Sequence, residues 1–277
     1  MCPDINPMNI AKIVEYPIKA LRGNPLQEAR VGKRGLENDR RWMIINADNN
    51  FISQRTYPAL ARLKVVIGPT LQLIDIISGD KTEMPNVTNG PFLDVTIWGT
   101  KCLARTGYTA IDSFLSQYLL QPVKLVFMPD ESVRQVDQNY AQQEDEVSFA
   151  DGYPVLLTNL STLKSLNDQL DSPIGIDRFR ANLVFDGSEA FEEEHWSIIQ
   201  IGEVRFRVAK PCSRCRVINV DQSNGKNDSQ VLRTLSLLRG TKGHTDFGVN
   251  LIPDNEGKIG VGDELTVLEW ASDRETH

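Results

Sequence analysis

Lys210-Pro211-Cys212-Ser213-Arg214-Cys215-Arg216 holds most of the reactive chemistry of this chain, with two thiols, a hydroxyl and three cations close together. The thiolate is the nucleophile and metal ligand, and neighbouring lysine or arginine favours it over the thiol. The same cations suit an anion, since guanidinium matches phosphate geometry. The stretch therefore reads as a thiolate beside a phosphate site. Other chemistries share the pattern. Cys212 and Cys215 could be half of a structural zinc site, but such a site wants four ligands. Cys2, Cys102, His195, His244 and His277 stand at no ligand-like spacing from a partner. A thioredoxin-type dithiol belongs where a strand meets a helix, whereas Val217-Ile218-Asn219-Val220 reads as a further strand. Two buried, inert cysteines complete the alternatives.

The elements around this stretch must place it. Val204, Phe206 and Val208 alternate with Arg205, Arg207 and Ala209, the pattern of a strand entering the motif. Pro211 cannot donate to a ladder, so the strand is expected to end there. From the N-terminus, strands are expected over 10–19, 42–45, 51–54, 62–67, 71–77 and 93–98. The pair 42–45 and 51–54 is joined by a turn rich in Asn and Asp. Residues 109–120 read as a helix, with Ile111, Phe114, Leu115, Tyr118 and Leu119 on one stripe. Thr109 and Asp112 have capping-box spacing. After a strand at 123–128 comes a polar segment, 129–152, without period. A loop of that length is usually functional or disordered, and 130–147 is expected to be mobile and to border the substrate entrance.

Further on, 154–158 reads as a strand, and Asn159 or Ser161 can cap the helix that follows. Glu189 and Glu192, Glu193 and Glu194 read as a solvated face. A short helix begins after Ser229 and stops at Gly240, and Phe247-Gly248-Val249-Asn250 precedes two closing strands, 258–261 and 264–268. The whole is β-rich with few helices. Composition agrees with an ordinary soluble globular protein: 40% hydrophobic and 24% charged residues. A net charge of −7 argues against nonspecific nucleic-acid binding, and no apolar run is long enough to span a bilayer. The first residues are not those of a signal or transit peptide, and the cysteines do not make a disulfide scaffold. A reduced, cytoplasmic protein is expected.

Several ordered motifs together resemble the MOSC-domain molybdenum enzymes, the group that includes the mitochondrial amidoxime reducing component and its bacterial relatives. They are Tyr16-Pro17-Ile18-Lys19, Gly35-Leu36 through Asp39-Arg40-Arg41-Trp42, Asp151-Gly152-Tyr153-Pro154, Arg178-Phe179-Arg180-Ala181-Asn182, Lys210 to Cys215 with Val220-Asp221, and Phe247-Gly248 with 259–263. The resemblance runs over almost the whole chain. It implies an α+β, β-rich fold, with a smaller N-terminal β-rich domain over 1–125 and a MOSC-type β-barrel domain over 126–277. The first strand and the motifs of 16–42 could pack into that barrel.

The resemblance also implies the molybdenum cofactor, a metal held by the dithiolene of a phosphorylated pterin with one protein thiolate as a further ligand. By motif position that ligand is Cys215. Lys19, Arg40, Thr158, Arg180, Asn182, Ser213 and Arg214 are implied as cofactor-binding residues. Asp151 is implied as a further catalytic residue. Relatives often carry serine after the motif lysine, and Ala20 here removes that hydroxyl. The implied activity is reduction of small N-hydroxylated compounds; a cofactor or persulfide-sulfur carrier is the alternative. The cysteines lack the C-x4-C-x2-C spacing of iron–sulfur proteins, and no G-x-G-x-x-G signature is present. Electrons are therefore expected from a separate ferredoxin-, flavodoxin- or cytochrome-type protein.

Overall fold

The computed structural model describes residues 7–86, 88–240 and 245–271. Cys2, His244 and His277 lie outside them. Among the described residues the strands form four sheets. The largest runs, in spatial order, Leu265–Trp270 (β18), Trp196–Ile201 (β14), Val204–Ser213 (β15), Asp246–Pro253 (β16), Val155–Asn159 (β12), Leu183–Asp186 (β13), Asn9–Glu15 (β1) and Asn24–Leu26 (β2). It is an open sheet with β18 and β2 at its edges. The strand pair β12–β13 is parallel and β12–β16 antiparallel. Its buried face, including Ile13, Leu157, Leu183, Phe206 and Leu251, forms one core cluster. β1 sits between β13 and β2, so the start of the chain is built into a sheet whose six remaining strands come from residues 155–270.

A second sheet orders Trp42–Ile45 (β5), Lys124–Phe127 (β11), Thr100–Arg105 (β10) and Phe92–Ile97 (β9). Smaller sheets join Gly257–Gly260 (β17), Glu28–Gly32 (β3) and Gly35–Leu36 (β4), and Leu63–Ile67 (β6), Thr70–Asp75 (β7) and Lys81–Pro85 (β8). The helices are Thr109–Leu119 (α1), Leu160–Asn167 (α2) and Gln230–Leu238 (α3). The strand-rich α+β class expected from the sequence is what the chain adopts. No helix among the described residues is long and apolar enough to cross a membrane.

Several local expectations are corrected. β15 does not stop at Pro211. It continues to Ser213, with register shifts between Val208 and Lys210 and between Pro211 and Ser213. The missing N–H falls where bulges already interrupt the ladder, which is where a sheet tolerates proline. The run 217–220 is no strand: Arg216–Asn219 forms a 3₁₀ turn. Residues 247–250 belong to β16, in the interior of the large sheet. Residues 51–54 do not pair as a strand with β5, whose partner is β11; only Phe51 bridges to Ile45. Asp112 does not cap α1 but accepts from the Leu125 amide at 2.7 Å, docking the helix on β11. Asn159 does cap α2, accepting from the Ser161 amide at 2.9 Å.

Two further corrections concern charge. Glu193 is not solvated. Its side chain is fully buried and accepts from Asn159 Nδ2 at 3.3 Å. The long segment 129–152 lacks regular structure yet is tied down. Arg134, buried, donates to the carbonyls of Ser148, Ala150 and Asp151 at 2.8, 2.7 and 2.9 Å. Glu146 pairs with Lys33 and Arg34 at 2.6 and 2.7 Å, and Val136 and Val147 are buried. This anchoring argues against the mobile loop that its composition suggested.

Candidate functional site

A cavity of about 150 Å³ opens beside the end of β15. Lys19, Ala20, Arg40, Asp151, Arg180, Asn182, Arg214 and Cys215 line it, together with Arg55 and Cys212. Motifs separated by up to two hundred residues in the sequence thus converge on one opening. Three of its residues hold left-handed backbone without being glycine: Ala20 at φ 70°, Arg40 at 49° and Arg180 at 55°. Such conformations cost of order 1–3 kcal/mol each and persist where the surroundings over-determine them. Here they turn the chain at the ends of short segments so that side chains face one space. The Arg40 amide donates to the Tyr16 carbonyl at 2.8 Å, and the Arg180 amide to that of Asp177 at 3.1 Å.

The cations are held by neutral partners, by buried Asp39 or by Asp151 at the rim. Arg40 Nη1 contacts buried Asp39 and donates to Asn182 Oδ1 at 2.9 Å, while Nη2 donates to the Arg180 carbonyl at 3.1 Å. Asn182 Oδ1 also accepts from the Leu156 amide at 3.2 Å, and its Nδ2 donates to the Val14 carbonyl at 3.2 Å. Asn182 is therefore a joint between β1, β12 and Arg40. Both Arg40 and Arg180 stand over the Tyr16 ring, 4.3 and 4.4 Å from its centroid. Burial brings the Arg180 guanidinium down to about 10. Lys19, 6% exposed, lies over Phe51 and contacts Asp151. Its burial pushes the ammonium down, with Asp151 opposing. The Asp151 side chain is two-thirds exposed at the rim. Surrounding protein would push its carboxyl up, but Lys19 and the Trp98 indole N–H, 3.1 Å away, hold it well below the usual carboxylate range.

The two thiols have different partners. Arg214 Nη1 donates to Cys212 Sγ at 2.8 Å, and its Nη2 to the Phe179 carbonyl at 2.6 Å. Cys215 Sγ instead accepts from Arg55 Nε and Nη2, each at 3.4 Å. Both cysteines are free and partly exposed. Arg55 carries no signal in the sequence, because 160 residues separate it from Cys215. Arg134, which fixes the Asp151 backbone, was equally hidden in a polar run. Thr158 does not reach the cavity: it is fully buried in β12, and its Oγ1 has no hydrogen-bond partner among the described residues. Ser213 also lies outside the lining, exposed, with Oγ 3.4 Å from Thr245 Oγ1.

The lining fits a phosphorylated, metal-bearing ligand. Lys19, Arg40, Arg55, Arg180 and Arg214 face Asp151 as the lining's carboxylate, in a chain of net charge −7. Arg214 Nε and Tyr153 Oη are buried at this cavity without hydrogen-bond partners among the described residues, and such orphaned groups call for a ligand or water. Among the described residues no group of three or more His, Cys, Asp or Glu comes together. A metal here would draw on the thiols of Cys212 and Cys215 and on donors that the described residues do not supply.

Two family models match the chain. One, the MOSC domain, covers residues 144–266; the other, the MOSC N-terminal beta barrel domain, covers residues 7–122. The chain belongs to the MOSC family. It is 29% identical to human mitochondrial amidoxime-reducing component 1 over 94% of this chain and 82% of that protein. It is 27% identical to human molybdenum cofactor sulfurase over 90% of this chain, which spans 30% of that longer protein. The MOSC segment supplies Asp151, Arg180, Asn182, Arg214 and Cys215, and the N-terminal segment supplies Lys19, Arg40 and Arg55. The cavity of this MOSC protein is therefore shared between both matched regions.

Proposed function

We propose that the cavity holds the molybdenum cofactor and that the protein reduces small N-hydroxylated compounds. The observation that carries this reading is the set of five cations around the thiols of Cys212 and Cys215, with a buried guanidinium nitrogen unpartnered among the described residues. Cys215 is the protein ligand to the metal. Lys19, Arg40, Arg180 and Arg214 hold the phosphate, Asn182 fixes Arg40, and Arg55 sets two N–H donors on the Cys215 sulfur. The bound cofactor supplies two-electron removal of oxygen from nitrogen, with two protons and release of water; the protein supplies binding, orientation and electrostatics. Asp151, kept ionised by Lys19, is an acceptor at the rim. It orients an N–H of the substrate and is not the proton donor. The name of the amidoxime-reducing relative supports the substrate class.

Electrons come from a separate redox protein through a small, transient contact, as in most redox encounters. Benzamidoxime should be reduced with reduced viologen but not with NADH alone. The similarity to molybdenum cofactor sulfurase favours a second reading, in which Cys215 carries sulfur or cofactor without reduction. Metal and sulfur analysis of freshly purified protein separates the two. Stoichiometric molybdenum with a phosphorylated pterin, together with viologen-driven turnover of benzamidoxime, supports the reductase; the same content without turnover supports a cofactor carrier. Sulfane sulfur without molybdenum overturns it, and zinc overturns both.

A further inference from the structure

A second cavity, of about 340 Å³, adjoins the first and shares Phe51, Ser53 and Arg55 with it. That volume lies in the roughly 300–1,000 Å³ range of small-molecule sites. Beyond the shared residues its wall includes Tyr57, Trp98 and Arg216, and no carboxylate lines it. Arg55 therefore stands between the two spaces, its Nε and Nη2 on the Cys215 sulfur and its guanidinium stacked 4.2 Å from the Trp98 ring.

The arginines of this wall differ from most others in the chain. Arg30, Arg34, Arg40, Arg41, Arg62, Arg105, Arg178, Arg205, Arg207 and Arg239 each reach a carboxylate. Arg216 is exposed and makes no side-chain hydrogen bond or ion pair among the described residues. Arg55 contacts sulfur and an aromatic ring, and no carboxylate within ion-pair distance. Neither cation forms an ion pair with a carboxylate among the described residues, Arg55 feeling Asp151 only at longer range, and in a chain of net charge −7 they give this wall a local positive field.

Trp98 is an independent sign of a built surface. Ile97 pairs with Thr100, so Trp98-Gly99 is a two-residue hairpin turn with φ of 49° and 83°. Such turns favour Asn-Gly, because both central residues need positive φ. A bulky residue there is strained, and this one is half exposed, with 52% of its surface accessible. Core packing does not account for that placement. What the ring does is meet Phe51 edge-on at 4.9 Å, cover Arg55 and hold Asp151 through its N–H. It presents an aromatic wall beside the opening to Cys215.

We propose that this outer cavity is a substrate subsite for a planar ring bearing an anionic group, carboxylate or phosphate, with the ring against Trp98 and the anion on Arg216. The inference rests on the reductase reading, since the subsite would hold the non-reacting end of the substrate while its N-hydroxyl group reaches the inner cavity. Guanidinium pairs bidentately with both kinds of anion, and the two arms of the test distinguish them.

The test is ligand binding followed by quenching of tryptophan fluorescence, with Trp98→Phe identifying the signal. The probes are benzamidine, 4-amidinobenzoate and 4-amidinophenyl phosphate. At least one anionic probe should bind about tenfold or more tightly than benzamidine, as expected for one added charge-assisted hydrogen bond. That preference should fall towards unity in Arg216→Gln, a substitution at an exposed position whose fold is checked by circular dichroism. Equal binding of all three probes, or a preference that survives Arg216→Gln, overturns the subsite. A normal preference in a protein that cannot reduce benzamidoxime with viologen would instead sink the reductase reading and leave an anion site standing.

Discussion

Arg214 and Arg55 divide the two thiols between them, and this decides how the cysteines should differ. Cys212 Sγ is an acceptor for Arg214, a role that a serine hydroxyl can fill. Cys215 Sγ faces the cavity beneath Arg55, where a hydroxyl would be a poor soft ligand. Cys215→Ser should abolish reductase activity and remove the protein sulfur seen by X-ray absorption at the metal. Cys212→Ser should keep most activity; equal loss in both variants would restore a dithiol mechanism. Arg214→Gln removes a guanidinium whose Nε lacks a partner. One hydrogen bond to a charged group is worth roughly 1.5–3 kcal/mol, so cofactor occupancy at limiting cofactor should fall about tenfold or more. Measured molybdenum content checks this. Arg40 is a worse choice for the same question, because its removal strands buried Asp39, and breaking such a pair costs roughly 3–5 kcal/mol of stability by itself.

At the scale of elements, α2 and its cap carry a titration that the sequence hid. Asn159 caps the helix and donates to Glu193, whose carboxyl burial pushes up to about 7. The folded protein thus holds that proton more tightly than the unfolded chain. The contribution is complete below about 4.5 and is lost as pH rises through about 7. Its size is on the order of 3 kcal/mol. Between pH 5 and 8 the parent protein should lose stability to urea relative to Glu193→Gln; parallel pH profiles would show that Glu193 is hydrated. Glu192, Glu193 and Glu194 read as a solvated face because a run of acids carries no period, and burial of the middle one is a tertiary fact. The same limit explains other misreadings. Val217 to Val220 is a short apolar run that fits strand or turn equally, and packing made it a turn. Strands with strong alternation, such as Val204 to Val208, were legible, as were the site residues Lys19, Arg40, Arg180 and Cys215 within their motifs. Arg55, Arg134 and Trp98 were not, since only the fold brings Arg55 to the cavity and the other two to Asp151 at its rim.

For the whole molecule, the position of β1 matters most. It lies between β13 and β2 in the large sheet, and Asn182 ties its Val14 carbonyl to Arg40. A domain boundary near residue 125 would therefore not divide the chain into independent folding units. A fragment spanning 126–277 should aggregate, because β13 would present an unpaired edge. Adding a peptide of residues 7–32 should restore solubility. Independent folding of the fragment, shown by a sharp thermal transition, would disprove this coupling.

Tyr16 carries the remaining consequence. Two guanidinium groups share its ring at 4.3 and 4.4 Å, so like charges are parked side by side before any anion arrives. Their repulsion works against the fold, and a phosphate bound as proposed would relieve it. A ligand present at a hundred times its dissociation constant adds about 2.7 kcal/mol to the stability of the native state. With the proposed cofactor as that ligand, the lifetime of this protein in a cell would follow its supply: chains made faster than the cofactor would be the less stable ones, exposed first to proteolysis, and the amount that persists would be a gauge of how much cofactor is at hand.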